Sequence, residues 1–258
     1  MLRIFSFLLF FSLVFAAHSQ NNWKMFNNQP VKKMTTSQTD RSYKAIDGYK
    51  QTIYYYPNGY IKSVIERFNK YKKLTRYYLY KNDTLNAILE KKVRGENEPK
   101  YSLEKIENLK NNYLPLRSTK LELYDVTTKT SEGQTSQITY TYNEKDRLTS
   151  SLETYQIDSE TEEGFQHKMA YTKSGYIKNI VFKHYEYDRK AKASILKTLN
   201  NTQCQIKSKN NIGPKHYQTT IKEKPSYFKI TYDLFKKEEL KKEIDYLELT
   251  DLFDFSSR

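Results

Sequence analysis

The chain has a single cysteine, Cys204, among 258 residues, so no disulfide can form within it. Small exported domains that cannot build a sufficient core usually depend on several disulfides, and the sequence excludes that class. An unpaired cysteine either links two chains or lies buried as a small apolar side chain. We expect Cys204 to be buried and the fold to depend on its hydrophobic core.

Glycine and histidine are also scarce, which removes several kinds of catalytic and cofactor site. The seven glycines form no phosphate-binding loop, and no G-x-S-x-G nucleophile elbow occurs. Beyond the amino-terminal segment the histidines are His167, His184 and His216, and none has the H-E-x-x-H or H-x-H spacing of a zinc site. The sequence therefore predicts no catalytic residue, no metal ligand and no cofactor.

Long apolar runs are confined to the amino terminus. Arg3 precedes an apolar run at residues 4–15, and Ala17-His18-Ser19 follows as a cleavage site, with a second possible site ending at Ala16. A helix that spans a bilayer needs roughly 18 or more apolar residues, which this run does not supply. We predict a signal peptide at residues 1–19 and a soluble mature chain, periplasmic or extracellular, without a transmembrane segment.

The charge of the chain is strongly basic. The formal net charge is +14, and +13 remains once Arg3 leaves with the signal peptide. Basic exported proteins attract anionic polymers and lipid head groups. The lysines lie in short pairs mixed with acids, such as Lys72-Lys73 and Lys241-Lys242, which is typical of a solvated surface. Expected partners are an anionic envelope polymer, a lipid or a protein, and nucleic acid is not expected.

Tyrosine is abundant, with 24 copies, and it recurs in a hairpin pattern. Alternating aromatic and aliphatic residues place one face of a strand on a core. Asn58-Gly59 and Ser174-Gly175 then supply the left-handed backbone of a tight turn, and an isoleucine or leucine opens the return strand. The copies begin near residues 53, 77, 138 and 169, with a weaker fifth copy near residue 230.

Successive hairpins of this kind must pair edge to edge, because one hairpin alone is not stable. The sequence predicts a mainly β protein: an antiparallel meander of Tyr-rich hairpins that forms an open, curved sheet or a partial barrel or sandwich, with one or two short helices. The spacing of Leu103, Ile106 and Leu109 predicts a helix over residues 102–112.

Three further regions complete the predicted organisation. Residues 20–48 are polar and asparagine-rich, which predicts a linker or a loosely held arm. Residues 49–258 form one β-rich domain, with a possible internal boundary near residues 95–118. Residues 234–249 fit either a helix or a strand, and both remain open.

The hairpin unit resembles the Rhs/YD-repeat family, whose unit runs roughly Tyr-x-Tyr-Asp-x-x-Gly-x-Leu. The resemblance covers about a quarter of the chain, and only Tyr232-Asp233 keeps the aspartate. It implies hairpin geometry, and we take nothing else from it. The matching positions are Tyr54, Tyr56, Gly59 and Ile61, then Tyr78, Tyr80 and Leu85, then Tyr140, Tyr142 and Leu148, then Tyr171, Gly175 and Ile177.

Tyrosines are also the candidate ligand-binding residues. A ladder on one face of the sheet is formed by Tyr54, Tyr56, Tyr78, Tyr80, Tyr140, Tyr142 and Tyr171. Aromatic cross-strand pairs stabilise sheets, so we interpret this ladder as core, with a sugar-stacking surface as the alternative. Tyr55 and Tyr77 are predicted to point to the opposite face, where they are available to bind a ligand.

Three functions remain open on the sequence alone. The first is a non-enzymatic, exported binding or envelope-associated protein, which the residue usage places in a low-GC bacterium. The second is a secreted hydrolase whose site is assembled from scattered residues, since paired carboxylates need no sequence motif. The third is an assembly module that pairs through free sheet edges. The acidic stretch at residues 158–163 predicts an exposed hairpin loop.

Overall fold

The computed structural model describes residues 25–26, 29–42, 44–123, 135–156, 162–171, 177–188, 193–206, 215–221, 224–249 and 252. The predicted signal peptide, most of the acidic stretch and Ser174-Gly175 lie outside them. The strands are β1 (Met25–Phe26), β2 (Gln29–Thr39), β3 (Ala45–Tyr55), β4 (Ile61–Asn69), β5 (Lys72–Lys81), β6 (Thr84–Arg94), β7 (Lys100–Asn111), β8 (Leu114–Leu123), β9 (Ser136–Tyr142), β10 (Leu148–Gln156), β11 (Glu162–Tyr171), β12 (Ile177–Asp188), β13 (Ala193–Ile206), β14 (Lys215–Ile221) and β15 (Lys224–Leu234).

The strands form one antiparallel meander, as the hairpin pattern predicts. From β3 to β15, each strand pairs with the next one in the chain. β2 then pairs with both ends of this series: Thr36 lies opposite Ile230 of β15 on one side and opposite Gln51 of β3 on the other. Each strand from β3 to β15 therefore has two hydrogen-bonded neighbours, whereas β2 has three because β1 also pairs with it. The sheet curves so that its ends meet at β2.

The prediction of a loose arm over residues 20–48 is wrong for its second half. Residues 29–39 form β2, and its Val31, Met34 and Thr36 are buried. Lysine and threonine dominate this segment, so its few apolar residues gave no clear period. The strand is stabilised by pairing with β3, the next strand, and with β15, which is distant in sequence, so local patterning does not reveal the second pairing.

The prediction of a helix over residues 102–112 is also wrong, because residues 102–111 lie within β7 and residue 112 is in the following turn. Leu103 pairs with Leu89 and Leu121, whereas Ile106 and Leu109 pack against the core. Register shifts between residues 106 and 111 insert extra residues into the strand, which changes the face to which the following side chains point. Two side chains three positions apart thus share a face, which imitates helical spacing.

Residues 234–249 adopt neither of the two alternatives as a whole. β15 ends at Leu234, and the chain then runs irregularly except for one 3-10 turn at Glu239–Lys241. Among the described residues this turn is the only helical element.

The hairpin turns repeat one geometry at the end of the sheet where β3 meets β4 and β9 meets β10. The amide of Tyr56 bonds to the carbonyl of Tyr60 at 2.8 Å, and Asn143 bonds to Arg147 in the same way at 3.0 Å. Gly59 and Asp146 occupy the left-handed position, with φ of 83° and 55°. The predicted turn at Asn58-Gly59 is therefore confirmed.

Residues that pair directly across an antiparallel sheet point to the same side, so the register defines two faces. One line of directly paired residues crosses β2 to β6, and all of its members are buried: Met34, Ile53, Val64, Arg76 and Glu90. We call this side the core face and the other side the opposite face. The core face is apolar near the repeated turns and becomes charged farther along the strands.

The carboxyl-terminal segment covers the turn end of the core. The ring of Tyr246 lies 4.9 Å from that of Tyr56 and 5.1 Å from that of Tyr80. Its hydroxyl accepts a hydrogen bond from Asn58 Nδ2 at 2.7 Å, and the Leu247 amide donates to the Tyr56 hydroxyl at 2.9 Å. The segment after β15 is therefore anchored by aromatic packing and by hydrogen bonds.

Candidate functional site

The two tyrosines that the sequence predicts as ligand-binding residues lie on different faces of the sheet. Tyr77 lies half-buried on the opposite face, as predicted. The predicted orientation of Tyr55 is wrong, because this residue is 3 % exposed and packs in the core. In the run Ile53-Tyr54-Tyr55-Tyr56 no polar residue marks the outward position, and the outward tyrosine is Tyr54.

The interpretation of the tyrosine ladder as core is confirmed for six of its seven members. Tyr54 is the exception, since it pairs with Ser63 on the opposite face. The other six lie in the core or pack against it: Tyr56, Tyr78 and Tyr80 are buried, and Tyr140, Tyr142 and Tyr171 are partly buried. A sugar-stacking ladder made of these six rings is thereby excluded.

Three of the ladder tyrosines make the same hydrogen bond to the preceding hairpin. The hydroxyl of Tyr80 donates to the carbonyl of Ile61, Tyr142 to Pro115, and Tyr171 to Leu148, over 3.1, 2.9 and 2.6 Å. Each acceptor lies at the start of a return strand, beside the turn of its hairpin. These hydroxyls are therefore part of the architecture.

Of the histidines, only His167 and His184 have described side chains, and they make separate contacts. His167 is buried on β11, and its Nδ1 lies 3.3 Å from the hydroxyl of Ser151. His184 is 4.0 Å from a carboxylate oxygen of Glu163. The side chains of Cys204 and His216 lie outside the described part of the structure. Within the described part, no three His, Cys, Asp or Glu side chains group as a metal site requires.

A buried ionic cluster on the core face centres on Arg76. Its guanidinium contacts Glu66 at 3.1 Å and Glu90 at 2.8 Å. Lys92 and Lys120 reach the second oxygen of Glu90 at 2.9 and 3.4 Å. Burial alone would raise the pKa of Glu90, but Lys120, Arg76 and Lys92 together hold it well below its usual range. Glu90 is therefore ionised and engaged in ion pairs, as expected of a structural network.

Glu104, next to this cluster, has the opposite electrostatic character. Burial raises the pKa of its carboxyl group, although the hydroxyls of Ser118 and Tyr140 both donate to it at 2.6 Å. Two neighbouring carboxyl groups whose environments shift their pKa values in opposite directions are a common feature of acid–base catalysis. These side chains belong to the core face, however, and the cleft described next lies elsewhere.

A surface cleft of about 520 Å³ forms where the chain leaves β15 and passes β2 and β3. Lys32 bonds to Glu239 at 2.5 Å, and Lys33 bonds to Asp233, which ties the cleft walls together. Formal charges balance, because three lysines face three carboxylates. The lining residues are Lys32, Lys33, Tyr54, Asp233, Leu234, Lys236, Glu238 and Glu239.

The cleft continues onto the opposite face through Tyr54. One line of directly paired residues crosses β2 to β5 on this face, and we call it the aromatic row. Its members are Lys33, Tyr54, Ser63 and Tyr77. Leu89 is next to Tyr77 in the same line, but it is only 1 % exposed, so the accessible row ends at Tyr77. Two half-buried tyrosine rings thus flank a small buried serine.

Sequence reasoning missed most of the cleft residues. Lys33 and Asp233 are separated by about two hundred positions and meet only because β2 pairs with β15. Of the cleft and the aromatic row, the sequence indicates only Tyr77, as a binding residue, and Tyr54, as part of the alternative sugar-stacking ladder. It does not reveal the strand pairing that joins the cleft residues.

No family model, curated protein or solved structure matches this chain. The likeness to Rhs/YD repeats consequently stays a prediction. In the described residues, no helix has the length and apolar character needed to cross a membrane.

Proposed function

We propose that this chain is an exported, non-enzymatic binding protein that holds an envelope ligand in the cleft beside Tyr54. The observation that carries the proposal is the composition of the cleft. It combines one aromatic ring with ammonium and carboxylate groups, so it offers a stacking surface together with hydrogen-bond donors and acceptors. Export itself rests on the amino-terminal sequence.

The balanced charge of the cleft narrows the kind of ligand. The net charge of the whole chain suggests an anionic partner, but the cleft lysines Lys32 and Lys33 are already bound to Glu239 and Asp233. A polyanion would have to displace these carboxylates. An uncharged polar ligand, by contrast, can bond to both members of each pair.

The two alternative functions receive less support. For the hydrolase, the favourable feature is the raised pKa of Glu104 beside the ionised Glu90, but Ser118, Tyr140 and Arg76 already engage these acids. For the assembly module, a free edge would be needed, and every strand from β2 to β15 is paired on both sides. Binding at a surface cleft requires neither a pair of catalytic acids nor a free sheet edge.

A cosedimentation experiment on the chain from residue 20 onward tests the proposal. The probes are cell-wall sacculi, vesicles of anionic phospholipid, and an insoluble uncharged glucan. We expect one probe to retain the protein, and we expect Tyr54→Ala and Lys33→Ala to lower the retained fraction. Tyr71→Ala is the matched control, because Tyr71 is 60 % exposed in a distant turn.

Retention of all three variants equal to that of the unsubstituted protein would refute a role for the cleft. Release of soluble reducing ends from the glucan or the sacculi, abolished by Glu104→Gln, would instead establish the hydrolase.

A further inference from the structure

The aromatic row has a spacing that suits one class of ligand. Tyr54 and Tyr77 lie on strands separated only by β4, in direct register through Ser63. Neighbouring strands are about 4.8 Å apart, so the two tyrosines are separated by about 10 Å across the sheet. This distance corresponds to two sugar units of an extended, β-linked polysaccharide.

The residue between the two tyrosines is small. Ser63 is also buried, so its side chain does not protrude between Tyr54 and Tyr77. The apolar side of a sugar ring packs on an aromatic face, while its hydroxyl groups point outward and to the sides. A chain that crosses the strands along this row would stack on Tyr54 and Tyr77 and span Ser63 without a bulky obstacle.

The row also has distinct ends. At one end Lys33 and Asp233 provide a donor and an acceptor beside Tyr54. At the other end the buried Leu89 offers no exposed ring or polar group. We propose that the ligand is an uncharged chain of sugar rings that lies across β2 to β5, with its hydroxyls bonded at Lys33 and Asp233. This inference rests on the proposed binding function and specifies its ligand.

Titration calorimetry with β-1,4-linked N-acetylglucosamine oligomers, from monomer to hexamer, tests the inference. Affinity should rise with length until the oligomer reaches both tyrosines and should then level off. Tyr77→Ala should weaken the long oligomers by about tenfold and leave the shortest ones unchanged, whereas Tyr54→Ala should weaken all of them. Tyr77→Phe should retain affinity, because stacking needs only the ring.

Two controls keep the result specific. Tyr71→Ala should bind every oligomer like the unsubstituted protein, and Ser63→Phe should block the long oligomers by filling the path. Near-ultraviolet circular dichroism of each variant checks that the fold is intact.

The outcomes separate this inference from the proposed function. If no oligomer binds, or if affinity is independent of length and of Tyr77, the saccharide inference is overturned. Should Tyr54→Ala nevertheless abolish retention on phospholipid vesicles or sacculi, the cleft would remain a binding site for another ligand.

Discussion

The hydroxyl of Tyr80 donates a hydrogen bond to the carbonyl of Ile61, 3.1 Å away on the neighbouring hairpin. Ile61 opens the return strand of one hairpin, and Tyr80 ends the first strand of the next. The same bond recurs from Tyr171 to Leu148. An aromatic ring that fills the core thus also joins successive hairpins, which explains why a phenylalanine would not be equivalent at these positions.

Tyr80→Phe should lower the free energy of unfolding by about 1 to 2 kcal/mol, because the buried carbonyl of Ile61 loses its donor while the ring packing stays. Urea denaturation followed by circular dichroism measures this change. Tyr71→Phe, in an exposed turn, should leave the midpoint unaltered. Equal effects of the two substitutions would show that the hydroxyl bond adds nothing.

Arg76→Met should destabilise the fold by about 3 to 5 kcal/mol, since Glu66 and Glu90 would lose their shared partner while remaining buried. The matched control is Arg117→Met. The ion pair of Arg117 with Glu107 spans 3.0 Å but is exposed to solvent, and its loss should cost about 1 kcal/mol or less.

A combined variant separates charge from packing at the same site. Adding Glu66→Gln to Arg76→Met removes a buried negative charge that has lost its guanidinium partner, whereas Glu90 keeps Lys92 and Lys120, so part of the lost stability should return. A double variant less stable than the single one would contradict the assignment of Arg76 as the ionic partner of Glu66.

Tyr246→Ala should uncover the aromatic end of the core and lower stability by about 2 kcal/mol, since the ring packs on Tyr56 and Tyr80. Binding of a hydrophobic dye should increase at the same time. Tyr246→Phe keeps the ring and loses only the hydroxyl bonds, so its effect should be about half as large. Leu240→Ala, at an exposed position of the same segment, is the control and should change neither property.

His167 should make stability depend on pH in a defined window. Burial lowers the pKa of His167 from 6.5 to about 4, because the charged ring is poorly solvated in the core. The unfolded chain therefore takes up a proton at higher pH than the folded chain does. The stability associated with the neutral ring is complete above about pH 6.5 and is lost as the pH falls toward about 4.

Urea denaturation of the unsubstituted protein and of His167→Phe between pH 4 and pH 8 measures this effect, and the difference between them isolates His167 from Glu104. The difference should change by about 3 kcal/mol across the window. A pH-independent difference would place the His167 ring in contact with solvent.

Much of the local structure follows from the sequence, because strand alternation and turn chemistry depend on adjacent residues. The antiparallel hairpins, the turn at Asn58-Gly59 and the burial of Tyr78 and Tyr80 were all predictable in this way. The wrong predictions of a helix in β7 and of the orientation of Tyr55 also have local causes. Register shifts in β7 gave Ile106 and Leu109 a helical spacing, and three consecutive tyrosines concealed which of Tyr54 and Tyr55 faces the core.

The amino-acid sequence by itself determined the strands of the Tyr-rich hairpins, their period-two burial and the turn at Asn58-Gly59, since these depend on interactions over a few residues. Only the tertiary structure decided that β2 joins β3 to β15, that Arg76 meets Glu66 and Glu90, and that Lys33 lies beside both Tyr54 and Asp233. These contacts depend on which distant strands pair and in which register. That choice is made by the free energy of the whole sheet, and no single segment encodes it.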